Sequence, residues 1–164
     1  AMGANVVAVD LTAEKLDFAR QMGAVATVDA SKTDRVAAAV REITGGGAHV
    51  SIDALGHPDT GFNSISTLRR RGRHVQVGLM LADNAVPPVP MGRVVSLELE
   101  VIGAHGMPAR DYDEMLALVV SGALPVERLV GRTIARAQAP AALMAMSSPA
   151  SASGITVVDL GEGR

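Results

Sequence analysis

Asp10 closes the run Val6-Val7-Ala8-Val9-Asp10, and Lys15 follows five residues later, about one turn inside the next predicted helix. An acid that ends a buried strand can accept hydrogen bonds from the hydroxyls of an adenosine ribose, and its charge repels a 2′-phosphate. Lys15 could donate to the same sugar from the other side. The plainer alternatives are a turn-forming aspartate and a solvated helical lysine. Three other points of interest are glycine-bearing ends of apolar runs: Leu55-Gly56, Gly78-Leu79 and Gly103-Ala104-His105-Gly106. Backbone without a Cβ lets a flat ligand approach closely.

The other candidates point elsewhere. Arg69-Arg70-Arg71-Gly72-Arg73 reads as a solvated helix C-terminus, where positive charge suits the helix dipole, rather than as a phosphate or nucleic-acid site. His57 and His105 follow strand ends and could line a cleft, whereas His49 and His74 fit strand entrances. The four histidines show no His-x-x-x-His spacing, and no serine sits in a Gly-x-Ser-x-Gly elbow. Met144 and Met146 read as core on a short apolar helix. Spacing alone assigns no catalytic residue and no metal ligand.

The elements that must position these residues alternate. Strands are expected at 6–10, 26–28, 50–54, 74–78 and 97–102, the first of them buried on both faces. Helices are expected between them: one from Ala13, capped by Thr12, one from Ser31 to Thr44, and one from Asp59 to Leu68 with Phe62, Ile65 and Leu68 inward. Strands joined by helices imply βαβ crossovers and a mostly parallel sheet. In such a sheet ligands bind beyond the carboxyl ends of the strands, where Asp10 and the three glycine-bearing ends fall. After Gly106 the rhythm changes to a helix at 111–121, a strand at 129–134, a short helix at 140–146, a small polar turn at 147–153 and a strand at 155–160.

Composition bounds the function. The chain has 164 residues, 48% apolar and 20% charged, with aromatics at only 2%, so an ordinary core must be built from aliphatic residues and eight Met. A net charge of −2 gives no field for nucleic acid or an anionic membrane. Cysteine is absent, which excludes disulfides and thiolate zinc sites and fits a cytoplasmic protein. No apolar run reaches the ~20 residues of a membrane helix. The opening Ala1-Met2-Gly3-Ala4 enters a strand almost at once, as expected of a piece of a longer polypeptide.

Ala1-Met2-Gly3-Ala4 and Val6 to Asp10 with Lys15, then Gly23-Ala24, Val50 to Gly56, Gly72 to Gly78 and Leu97 to Ala104, taken in order, resemble the medium-chain dehydrogenase/reductase superfamily. The chain looks like the C-terminal, cofactor-binding half of a zinc-dependent alcohol dehydrogenase. That resemblance implies an α/β, Rossmann-like doubly wound parallel sheet, incomplete because its first, central strand and Gly-rich phosphate loop would lie upstream of Ala1. Residues 1–106 would form the partial NAD-binding domain and residues 107–164 a segment returning toward a catalytic domain. Asp10 and Lys15 would hold the adenosine ribose, with NAD favoured over NADP. Ala54, Leu55 and Gly56 would run along the cofactor, and Val77, Gly78, Leu79, Ala104, His105 and Gly106 would serve its nicotinamide half. Zinc ligands would lie outside this chain, and the strand at Leu97–Ile102 would pair with a second copy. Ile155 departs from the pattern, since many members carry an arginine there that reaches the pyrophosphate.

The implied activity is hydride transfer between an alcohol and its aldehyde or ketone. Without its phosphate loop the isolated chain is expected to bind NAD weakly or not at all. A zinc-free quinone or enoyl reductase is the second reading, which Asp10 disfavours. A non-catalytic nucleotide-binding or assembly module is the third. A methyltransferase-like sheet is the fourth; it would need an antiparallel hairpin that the sequence does not show.

Overall fold

The computed structural model describes residues 2–146 and 154–161, in two compact units: 5–106, and 107–161 with 2–4. The expected turn at 147–153 lies outside the described residues.

In the larger unit β1 (Val7–Asp10) and β2 (Ala26–Asp29) pair in parallel, Val7 opposite Ala26 and Asp10 opposite Asp29. The crossover is α1 (Ala13–Gln21), which buries Leu16. α2 (Val36–Ile43) places Val36 and Val40, one turn apart, against Val28, with Val7, Ala30 and Ala39 packed around them. This helix starts five residues later than the sequence suggests. Asp29 accepts from the Ser31 amide and Thr33 from the Arg35 amide, so short side chains take donors that a first helical turn would leave open. Thr12 sits at the cap position of α1 without capping it, because its hydroxyl donates to Asp10 instead.

A second sheet has the order β3 (Ala48–Asp53), β4 (Leu68–Gln76), β5 (Glu100–Gly103), all parallel. α3 (Pro58–Ser66) crosses from β3 to β4. Among the described residues no antiparallel ladder forms, and β1 and β3 are not paired with each other. The two layers meet through their helices, where Arg41 of α2 donates to the Ser66 carbonyl at 2.6 Å. The expectation of strands covered on both faces fails here: Val9 is 44% exposed and Ile52 63%, because no described element packs over those side chains.

The basic cluster is not a helix end. Leu68, fully buried, already belongs to β4, and the register jumps from Ala48–Leu68 to Val50–Arg73, so Arg69 to Gly72 form a bulge. Arg71 in the bulge reaches Glu98, just ahead of β5, and Arg73, where pairing resumes, reaches Glu100 on β5, each at 2.8 Å. β5 is shorter than expected because α4 (Met91–Ser96) runs up to Leu97. Phe62, expected inward, is partly exposed on α3, while Ile65 is buried.

In the smaller unit α5 (Tyr112–Val120) is followed by β6 (Val130–Ala135), α6 (Ala139–Ala145) and β7 (Ile155–Asp159), with β6 and β7 parallel. Met115, Leu118 and Val119 are half-buried on α5, as their spacing predicts. Met144 and Met146 are not core but largely exposed. α6 is a seven-residue helix with no buried residue, so it offers the methionines no covered face.

Candidate functional site

The carboxyl ends of β3, β4 and β5 converge on two residues that sequence reasoning missed, Asp53 and Gln76. Asp53 is 3% exposed. Its Oδ1 accepts from the amides of Leu55 at 2.8 Å and Gly56 at 3.1 Å. Its carbonyl accepts from Val77 at 2.9 Å and Gly78 at 2.8 Å. Gln76 donates to Asp53 Oδ2 at 2.8 Å and to the Gly78 carbonyl at 2.9 Å, while its own carbonyl accepts the Ala104 amide at 2.9 Å. Leu55, Gly56, Val77, Gly78 and Ala104 are thus tied around one acid and one amide.

The two glycine turns touch backbone to backbone. A Cβ on Gly78 would lie 2.2 Å from the Gly56 nitrogen, and one on Gly56, whose φ is +82°, would lie 2.3 Å from the Leu79 carbonyl oxygen. Only glycine permits that approach. Ala54, Leu55, Val77, Leu79, Ala104, His105 and Gly106 are exposed around it, Leu55 to 70%. Burial pushes the Asp53 carboxyl up, but the bonds it accepts from Gln76, Gly56, Leu55 and Thr60 outweigh this and hold it below the usual carboxylate range. It is therefore an anion at neutral pH with both oxygens held by structural donors.

Asp10 sits at the end of β1, half-buried. Oδ1 accepts from the Leu11 amide at 2.8 Å, the Thr12 amide at 3.1 Å and the Thr12 hydroxyl at 3.2 Å, a local turn. Oδ2 has no partner among the described residues, so the acid shapes the chain with one oxygen and presents the other. Lys15 is exposed on α1 and makes no ion pair with Asp10. Beside Asp10, Asp29 accepts from the Ser31 amide at 3.0 Å and hydroxyl at 2.5 Å and pairs with Lys32 at 2.8 Å. Bonds from Lys32 and Ser31 pull its carboxyl down to about 2.

His57 caps α3, its Nδ1 accepting the Asp59 amide at 3.2 Å, and His105 is exposed. His49 lies at the entrance of β3, but His74 does not lie at an entrance. It is the middle of β4, 1% exposed, because its register opposite Ser51 and Val101 places the ring under α3. The signal for Asp53 was visible, an acid closing an apolar run as Asp10 does; nothing in the sequence pairs it with Gln76. Among the described residues no three His, Cys, Asp or Glu side chains come together as metal ligands, so these residues do not fit a zinc site. No described helix is long and apolar enough to cross a membrane.

Parallel strands linked by helices, with glycine turns at their carboxyl ends, define a Rossmann-like α/β chain. Residues 1–121 match the zinc-binding dehydrogenase model, and the chain belongs to that family. It is 32% identical over 128 residues to the erythritol/L-threitol dehydrogenase of Mycolicibacterium smegmatis, covering 76% of this chain and 34% of that protein. It is 34% identical over 135 residues to the D-xylulose reductase A of Aspergillus niger, covering 79% and 37%. Among solved structures, the 2R,3R-butanediol dehydrogenase of Bacillus subtilis superposes with a TM-score of 0.82 at 26% identity, over 96% of this chain and 44% of that one. A Sinorhizobium meliloti protein solved with NADP bound gives 0.79 at 26% identity, over 94% and 45%. The chain spans about a third of the length of the curated relatives it matches.

Proposed function

We propose that this chain is the NAD-binding part of an oxidoreductase that moves hydride between an alcohol and its aldehyde or ketone. The observation that carries the reading is Asp10, a carboxylate at the end of a parallel strand with Oδ1 held by its own turn and Oδ2 open. A fixed carboxylate with an open oxygen accepts from a ribose hydroxyl and repels a phosphate on the same sugar. Lys15, one turn away on α1, donates to the sugar from the other side. The exposed Ala54, Leu55, Val77, Leu79, Ala104, His105 and Gly106, with the Gly56 and Gly78 turns beneath them, would carry the rest of the cofactor, which supplies the hydride acceptor when bound. The protein contributes position and electrostatics.

The family membership and the relatives named for polyols and alcohols support a small alcohol or carbonyl substrate. Zinc ligands belong to polypeptide beyond the described residues. A strand from such polypeptide would fit between β1 and β3, each of which has one edge unpaired among the described residues. The outer edge of β5 is likewise unpaired among the described residues and suits pairing with a second copy, in a cytoplasmic homo-oligomer.

The NADP-bound relative favours a second reading, in which the cofactor carries the 2′-phosphate. Titration of NADH and NADPH against the protein carrying this chain, followed by nicotinamide fluorescence, decides. Tighter NADH binding is expected, by about tenfold or more; tighter NADPH binding overturns the role given to Asp10.

A further inference from the structure

Behind the exposed turns runs a polar chain that the β3–β4 ladder does not need for its own pairing. Gln76 Nε2 donates to Asp53 Oδ2 and to the Gly78 carbonyl, so its amide oxygen faces His74 Nε2 at 3.1 Å. A carbonyl oxygen only accepts, which makes His74 Nε2 the donor. Nδ1, with its single lone pair, is left to accept from a serine hydroxyl, with Ser51 on β3 at 3.1 Å and Ser64 on α3 at 3.2 Å both within reach. α3 reaches the chain at a second point, where Gly61 brings helix backbone over the Gln76–Asp53 bond: a Cβ there would lie 3.5 Å from Gln76 Oε1 and 3.6 Å from Asp53 Oδ2.

Every donor in this series points the same way, from a serine hydroxyl through His74 and Gln76 to Asp53, and the last acceptor holds the amides of Leu55 and Gly56. We propose that His74, Gln76 and Asp53 are positioning residues, whose single donor direction fixes the Asp53 carboxylate and through it the spacing of the Leu55–Gly56 and Val77–Gly78 turns. The inference rests on the reading of those turns as the cofactor edge. Apolar side chains of equal volume would hold the sheet as well, and often better. They would not hold a carboxylate at one orientation, because orientation inside a low-dielectric layer comes from directional bonds.

The test exchanges the partners. Gln76→Glu sets two carboxylates against each other, whereas Asp53→Asn with Gln76→Glu restores the donor–acceptor pair at Oδ2 and keeps an acceptor for His74; in both variants the Gly78 carbonyl loses the donor that Gln76 Nε2 supplies. In the protein carrying this chain, Q76E is expected to speed amide hydrogen exchange at Leu55 and Gly56 about tenfold or more relative to Val28 and Val40, and to weaken NADH binding by a similar factor. The double variant is expected to bring exchange at Leu55 and Gly56 back to within about threefold of wild type, with NADH binding recovering only in part because the Gly78 carbonyl still lacks its donor. Unchanged exchange in Q76E, or no rescue by the second substitution, overturns the proposal. Exchange that responds while NADH affinity does not overturns the positioning role and leaves a structural network. A wild-type protein that binds no NADH overturns the cofactor reading instead, and the exchange rates still decide whether the turns are positioned. If Q76E does not fold, nitrogen NMR of the wild-type His74 ring carries the test: an Nε2–H ring is expected, and an Nδ1–H ring overturns the donor direction.

Discussion

β1 and β3 both end in an aspartate whose Oδ1 accepts two amides from the turn that follows, Leu11 and Thr12 in one case and Leu55 and Gly56 in the other. The local chemistry is the same and the surroundings are opposite. Asp10 keeps Oδ2 open at the surface of a two-stranded layer. Asp53 gives Oδ2 to Gln76 inside a three-stranded layer, with α3 over it. The difference teaches that an Asx turn at a strand end is a scaffold, and that burial of the second oxygen decides whether the acid keeps an acceptor free or spends it bracing backbone.

Breaking the buried member costs most. Asp53→Ala leaves the Gln76, Leu55 and Gly56 donors without their charged acceptor and is expected to lower stability by about 3 kcal/mol, read as a shifted urea midpoint with unchanged slope. Asp10→Ala, losing only an exposed turn, should cost about 1 kcal/mol or less on the same scale. Equal losses at the two sites would erase the distinction. Next comes Gly78→Ala, whose new Cβ meets the Gly56 backbone; a loss of about 2 kcal/mol by the same measurement is expected.

Asp10→Ser tests the open member without touching the fold. NADH binding in the protein carrying this chain is expected to weaken about tenfold, near 1.4 kcal/mol, with NADPH affinity unchanged or improved. Selectivity that stays with NADH would remove Asp10 from the ribose. A smaller, graded effect appears in acid. Asp29 is held at about 2 and Asp53 is also lowered, so below the ordinary carboxylate range the unfolded chain binds protons that the folded chain does not. The stability these groups contribute is present above about pH 4 and is lost as pH falls toward 2. Urea midpoints measured across that window should fall, and Asp29→Asn should flatten part of the decline. The smallest effect belongs to Glu98→Gln at the β4 bulge. Its arginine partners are exposed, so a change under about 1 kcal/mol, further reduced in high salt, is expected.

Much of the candidate site's framework could be read before the fold was known. Asp10 and the glycine-bearing turns stand where apolar runs stop, and an apolar run that stops at an acid or a glycine announces a strand end. Asp53 could be read as such an acid too, but not as a buried one. Gln76 and His74 could not be read at all, because a polar residue inside a strand declares no partner until a neighbouring strand and a helix are set against it. The arginine cluster misled for the same reason: four arginines after a helix suit a helix dipole, and only the pairing of Leu68 with Ala48 shows that the chain has already entered β4.

What the sequence determined by itself was the alternation of strand and helix, the parallel sheet and the positions of the turns, because hydrophobic period, glycine and capping residues act within a few neighbours along the chain. What the tertiary structure decided was which acid is sealed and which is open, since that depends on strands twenty or more residues apart coming into register. Desolvation is a property of the assembled layers, and the same carboxylate changes its work with the side chains packed over it.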